Sequence, residues 1–283
     1  MLYTIENLHC AYNKHRLVLS VPKLEIEPGQ IVMVLGKSGY GKSTFLETLA
    51  LMNNPIQNGT VVFSPPSGGG QMAYELQKVW QNGQRGLPEQ IRSQHFSFIF
   101  QQTNLMPNFS VYENIYITKM IQGYREDECH AETMDILDRI GLGRIEMSRN
   151  VTELSGGQRQ RVAFARAIIS SFDVLFGDEL TGNLDEMNAH ELMLLLSDFI
   201  HQRTNPHPKT AIIVTHSIEM AVSYADTIVL ISRKNGSGCI APDSVYKRVP
   251  SGKGNEWTND ILTLTEASCR NYLKEQFFYN NHE

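Results

Sequence analysis

Ile31–Leu35 is an unbroken apolar run that ends at a glycine-rich stretch, the pattern of a strand buried on both faces. Before it, Leu2–Leu8, Arg16–Val21 and Leu24–Ile26 read as short strands around turns. After it, Lys42 to about Met52 reads as a helix with apolar Phe45, Leu46, Leu49, Ala50 and Met52. From Phe96 onward two patterns alternate. Strand-like segments are Phe96–Phe100, Val174–Phe176, Ala211–Val214 and Thr227–Ile231; helix-like segments are Val111–Gln122, Ala131–Ile140, Gly156–Ile169, Met187–Gln202 and Ile218–Tyr224. Strands alternating with helices predict an α/β domain with a mainly parallel sheet.

Two stretches depart from that rhythm. Residues 64–95 open with Ser64-Pro-Pro-Ser-Gly-Gly-Gly and turn Gln-rich, which reads as a surface loop that has room for a short helix. After Ser232 the periodicity fades: Asn235-Gly236 predicts a hairpin turn, and Asn259–Phe278 a weakly amphipathic helix. The organisation expected is one domain over 1–232, with a helical part at about 102–170 and a long loop at about 64–95, followed by an extension over 233–283.

Composition narrows the classes. The chain has 283 residues, 41% of them hydrophobic, and a net charge of −5. That is ordinary for a globular protein, and the acidic balance argues against nucleic acid as a direct partner. No apolar run reaches the ~18 residues of a membrane span. The N-terminus lacks the basic and apolar regions of a signal peptide, so none is expected. Cys10, Cys129, Cys239 and Cys269 lie far apart, without a Cys-x-x-Cys pair, and fit a reducing compartment better than a disulfide framework or zinc site.

Three motifs carry chemistry. Gly36-Lys-Ser-Gly-Tyr-Gly-Lys-Ser43 fits G-x-x-x-x-G-K-[ST] between a strand and a helix. Its glycines let backbone N–H groups converge on phosphate oxygens. Lys42 would reach the β- and γ-phosphates and the Ser43 hydroxyl would bind Mg²⁺. The phosphate cradle expected is therefore Gly36, Lys37, Ser38, Gly39, Tyr40, Gly41, Lys42, Ser43 and Thr44. Val174-Leu-Phe-Gly-Asp-Glu179 is an apolar strand ending in acids. Asp178 would hold the magnesium at the carboxyl edge of the sheet, and Glu179 would orient or deprotonate water. Leu154-Ser-Gly-Gly-Gln158 places a Ser-Gly-Gly turn before a helix, a second anion-binding helix terminus.

That pentapeptide, with the other two motifs, resembles the ATP-binding cassette (ABC) ATPases. The resemblance covers about Leu2 to Ser232. It implies an α/β P-loop fold with a mainly parallel core sheet, an antiparallel β subdomain and a helical subdomain that carries the signature. By the same resemblance Tyr12 stacks on adenine, though an ordinary core or surface tyrosine remains open. Gln101 of Phe98-Ile-Phe-Gln101 resembles the glutamine that contacts Mg²⁺ and the attacking water, with Gln102 as the alternative. Asn183-Leu-Asp185 resembles the loop that crosses to a second monomer, and His216 the switch histidine at the γ-phosphate. Ser155, Gly156, Gly157 and Gln158 would grip ATP bound to another copy, making a homodimer through ATP.

Phe100-Gln-Gln-Thr-Asn-Leu-Met-Pro107, Val111-Tyr-Glu-Asn-Ile115, Ile140-Gly-Leu-Gly143 and Thr181-Gly-Asn-Leu-Asp185 resemble the group that serves macrolide export, lipoprotein release and cell division. The implied role is an ATP-hydrolysing subunit on the cytoplasmic face of a membrane. It would drive transport or mechanotransmission through a separate integral membrane subunit, docked near Gln101–Ile115. Pro107, Phe109 and Tyr112 are either contacts there or ordinary packing. A soluble ABC ATPase acting on nucleic acid or the ribosome is the alternative. Leu180, Tyr40 and Val151-Thr152 depart from the family pattern.

Overall fold

A computed structural model describes residues 1–13, 16–68, 72–81, 86–143, 147–182, 184–202, 207–251, 254–259 and 261–279. The chain opens with two long strands, β1 (Tyr3–Asn13) and β2 (Arg16–Ile26), which pair antiparallel. The break expected between Val21 and Leu24 is absent. Pro22, which has no N–H to donate, lies opposite Asn7, whose φ is 49°, and the ladder resumes on either side of that pair.

β3 (Ile31–Leu35) is buried along its whole length and leads through a glycine-rich turn into α1 (Lys42–Leu49). β4 (Ile56–Phe63), which the sequence pattern did not single out, pairs with β1. The loop expected over 64–95 is corrected: its described residues hold β5 (Tyr74–Glu75), α2 (Leu76–Gln81) and α3 (Leu87–His95). Leu76 and Ile91 are fully buried, so this segment closes the core beside β4.

β6 (Phe96–Ile99) is followed by α4 (Val111–Ile121), α5 (Glu126–Arg139) and α6 (Gly156–Ile169). Ser110 and Glu113 form a reciprocal capping box at α4. β7 (Val174–Asp178), α7 (Glu186–Ile200), β8 (Thr210–Thr215), α8 (Ile218–Tyr224) and β9 (Thr227–Leu230) continue the alternation.

β10 (Ser232–Lys234) and β11 (Ser237–Cys239) form the hairpin foreseen at Asn235-Gly236, whose φ values of 52° and 81° suit a type I′ turn. The tail then builds β12 (Val245–Ser251), β13 (Gly254–Thr258), β14 (Thr263–Thr265) and α9 (Glu266–Tyr279). The helix expected over Asn259–Phe278 thus begins seven residues late, because Thr263–Thr265 pair with β13 instead.

The core sheet runs β14-β13-β12-β9-β3-β8-β7-β6; its β9-to-β6 half is parallel and its tail strands are antiparallel. A second sheet, β10-β11-β2-β1-β4-β5, is antiparallel except where β11 meets β2. The period-2 alternation of β3 divides two cores. Ile31, Met33 and Leu35 face the layer of helices, whereas Val32 and Val34 face α1 and the second sheet. The tail shares the first core, with Trp257, Cys269 and Leu273 fully buried.

Candidate active site

The turn between β3 and α1 is shaped by crowding. A Cβ on Gly36 would lie 3.1 Å from the Ile231 carbonyl oxygen, and one on Gly41 3.3 Å from that of Val18. Gly39 and Gly41 also have φ values of 81° and 91°, which strain any residue with a side chain. Lys42 is buried and its Nζ donates to the Gly36 carbonyl at 2.7 Å, so the ammonium spans the loop from within. Burial lowers its pKa, and the carboxylates of Glu179 and Asp178 oppose that shift.

β7 brings the acidic pair to the same edge. Asp178 pairs in register with Val214, and the Glu179 amide donates to the Val214 carbonyl at 3.0 Å. Glu179 itself turns left-handed, with φ 47°, which swings its side chain off the strand. His216 Nδ1 lies 3.0 Å from Glu179 Oε1. Burial, then the neighbouring Glu179, raises the pKa of Asp178. Leu180 is buried against Gly177, where a Cβ would sit 3.0 Å from its Cγ.

These groups meet in an open cleft of about 350 Å³, lined by Val18, Ser38, Gly39, Gly41, Lys42, Ser43, Thr44, Gln101, Asp178 and Glu179. Val18 had no motif to mark it; β2 delivers it from the second sheet. Other expected site residues lie around this cleft rather than in it. Gly36 packs on Ile231, Lys37 and Tyr40 face the far side of the loop, and His216 reaches in through Glu179. Tyr12 is 55% exposed, with its hydroxyl 3.3 Å from Thr44 Oγ1 and 3.3 Å from Glu47 Oε2.

The Ser-Gly-Gly turn lies elsewhere. Ser155 caps α6, with the Gln158 amide donating to its hydroxyl at 3.3 Å and its own amide donating to Gln158 Oε1 at 3.0 Å. A Cβ on Gly156 would meet nothing within 4 Å, so this face is open. A groove of about 440 Å³ joins Ser155, Gly157 and Gln158 to Asp185, together with Gly141, Leu142, Arg161, Leu184 and Asn188. Asp185 caps α7 by accepting from the Asn188 amide at 3.0 Å. Asn183 lies outside the described residues. Arg161 and Asn188 were not anticipated; they are joined by a 3.0 Å hydrogen bond that ties α6 to α7. This groove and the Lys42 cleft share no lining residue.

A family model described as ABC transporter matches residues 19–182. The macrolide export ATP-binding/permease protein MacB of Chlorobium luteolum is 32% identical over 247 residues, covering 87% of this chain and 33% of that protein. The chain thus spans about a third of the length of such MacB relatives. The lipoprotein-releasing system ATP-binding protein LolD of Shewanella sp. (strain MR-7) is 34% identical, covering 77% of this chain and 86% of its own. Bacillus subtilis YtrE, an ABC transporter ATP-binding protein, is 33% identical, covering 72% and 80%. Among solved structures, the dimeric ATP-binding cassette MJ0796, in a post-hydrolysis state bound to ADP and Pi, superposes with a TM-score of 0.66 at 26% identity over 83% of this chain and 96% of that one. For cbiO1 of Clostridium perfringens the TM-score is 0.69 at 22% identity, covering 97% and 91%, a likeness of fold.

Proposed function

This chain belongs to the ABC transporter family of ATPases, and on that premise we propose that two copies close head to tail around ATP and drive a separate membrane partner. The observation that carries this reading is the separation of the two anion-binding surfaces. The Lys42 cleft and the Ser155–Asp185 groove are distinct openings on one chain. A nucleotide held by both requires a second copy.

In that arrangement the amides of Gly39, Gly41 and Ser43 hold phosphate oxygens, and Lys42 screens the β- and γ-phosphates. Tyr12 offers its exposed ring to adenine. The Ser43 hydroxyl, the Gln101 amide oxygen and the Asp178 carboxylate line one cleft and are hard oxygen donors, a set that suits Mg²⁺. Bound there, the ion would neutralise charge on the phosphates. Glu179 accepts a proton from the attacking water, and His216 orients that carboxylate. Water oxygen bonds to the γ-phosphorus as its bond to the ADP oxygen breaks. Ser155, Gly156 and Gly157 of the second copy face the γ-phosphate, so loss of phosphate removes the charge interactions that join the copies.

Among the described residues no helix is long and apolar enough to cross a membrane; the membrane crossing is assigned in this reading to a separate partner. The surface proposed for it is a groove of about 350 Å³ between α3, β6, α4 and α6, with apolar Phe98, Phe100 and Ile121 flanked by Glu89, Arg92 and Arg166. Binding there from the cytoplasmic face would leave this chain peripheral to the membrane.

The test is Glu179→Gln. Hydrolysis is expected to fall by about 10²-fold or more while ATP binding persists, so that ATP drives the variant into a dimer on sedimentation. A monomer at saturating ATP overturns the reading. Recovery of one stoichiometric membrane protein with the ATP-loaded variant would supply the partner; ribosomes or nucleic acid in its place would overturn the membrane assignment.

A further inference from the structure

Tyr40, bulky for its place in the phosphate loop, and the tail after residue 232 line one crevice. We propose that the tail helix α9 is a brace for the phosphate loop, with Phe277 and Gln276 as positioning residues that set how tightly the loop holds nucleotide. The proposal rests on the reading that Gly36–Ser43 binds the phosphates.

The loop is crowded on two flanks by close backbone approach. On one, Gly36 abuts Ile231; on the other, a Cβ on Gly238 would fall 1.9 Å from the Tyr40 carbonyl oxygen, so β11 presses directly on the loop. The remaining flank is closed by side chains. Lys37 and Tyr40 from the loop share one crevice with Arg233 and with Gln276 and Phe277 of α9. That crevice measures about 30 Å³, room for a single water rather than a ligand, so it is a packing seam and not a site.

The base of α9 is fixed well enough to act as a strut. Cys269 and Leu273 are fully buried, and Arg270 reaches Glu219 of α8 at 3.2 Å. Arg248 of β12 donates to the Val222 carbonyl of α8 at 2.7 Å. α8 begins two residues after His216, so the tail rests on the helix behind that histidine, and its far end lines one crevice with the phosphate loop.

A loop that binds through converging backbone amides must be ordered before those amides act together. Its glycines, free to leave φ values of 81° and 91°, make that ordering costly unless the surroundings impose it. A stiff flank reduces this cost, and the gain appears as affinity. It appears first in ATP binding and KM, because Glu179 and His216, which handle the attacking water, lie just after β7 and β8 and not on the seam.

A double-mutant cycle on the full chain tests this, with Tyr40→Ala, Phe277→Ala and the pair, titrated with ATP by calorimetry. Each single change is expected to weaken ATP binding about fivefold to tenfold, and the pair no more than the worse single. For Phe277→Ala, kcat at saturating ATP stays within about twofold while KM rises, and Phe277→Leu restores most of the affinity. Hydrogen exchange at the amides of residues 36–43, read in the nucleotide-free protein, is expected to quicken in Phe277→Ala and Phe277→Leu in that order of effect. Additive losses, or unchanged binding and exchange in Phe277→Leu and Phe277→Ala, overturn the brace. Failure of the unaltered protein to bind ATP overturns the phosphate-loop reading instead.

Discussion

The side-chain amide of Gln160 donates to the carbonyl of Leu180 at 2.9 Å, with both residues almost wholly buried. Gln160 lies on α6 one turn after the Ser155 cap, and Leu180 directly follows Glu179. The bond therefore ties the helix that presents Ser-Gly-Gly to the strained turn that presents the acid. Glu179 at φ 47° would relax toward a more populated backbone region without such restraints. In the proposed head-to-tail pair these two elements would serve different nucleotides, and this hydrogen bond links them directly.

Gln160→Leu leaves the Leu180 carbonyl buried without its donor, at a cost of about 1–3 kcal/mol. Steady-state kinetics is expected to show kcat reduced about tenfold with KM for ATP little changed, since the loss falls on Glu179 and not on the phosphate loop.

The tail contributes to the main core, so its removal is a stability lesion. Trp257→Ala is expected to cost about 3–5 kcal/mol and Leu273→Ala about 2–5 kcal/mol. Both residues are fully buried. Urea unfolding checks this, and the loss should appear in the transition that melts the whole core rather than in a separate early one.

Asp173 tethers the 64–95 segment to β7. Its carboxylate accepts from the Ser67 amide at 3.1 Å, the Ser67 hydroxyl at 2.7 Å and His95 Nδ1 at 2.7 Å. Burial raises its pKa, but the hydrogen bonds from His95 and Ser67 outweigh that and leave the carboxyl below the ordinary value of 3.8. A depressed folded-state pKa means stability that is present above the unfolded value and lost as pH falls through the folded one. Asp173→Asn is therefore expected to be less stable than the native chain at pH 7, with the gap closing as pH falls below the ordinary value of 3.8.

His201 has the opposite sign. Its Nε2 lies 2.9 Å from Asp226 Oδ2, and that hydrogen bond raises the imidazole pKa above 6.5, against a smaller opposing effect of burial. The stabilisation is complete below about pH 6.5 and disappears as pH rises through the folded-state value. His201→Asn should lower the melting temperature at pH 6 and leave it nearly unchanged at alkaline pH. Solvent exposure of the pair keeps the effect small.

The sequence by itself determined the alternating α/β core and the three contiguous motifs, because the information in each is local. Gly36–Ser43 must form its turn from its own glycines, and Gly156–Ile169 and Ile218–Tyr224 begin and end at their own caps and apolar periods. Only the tertiary structure decided which motif residues share a cleft: Lys42, Gln101, Asp178 and Glu179 converge, while Ser155 and Asp185 open a different groove. It also decided β4, the helices within 64–95 and the strands of the tail. Those segments are short, half-exposed or interrupted, as at Pro250 in β12, and carry no clear period of their own. Their stability comes from pairing and burial against residues far away in the chain, as with Arg248 bonded to the Val222 carbonyl, Ser67 bonded to Asp173, and Phe277 lining one crevice with Tyr40. Such contacts are selected by packing in three dimensions, and a linear pattern of polar and apolar positions does not encode them separately.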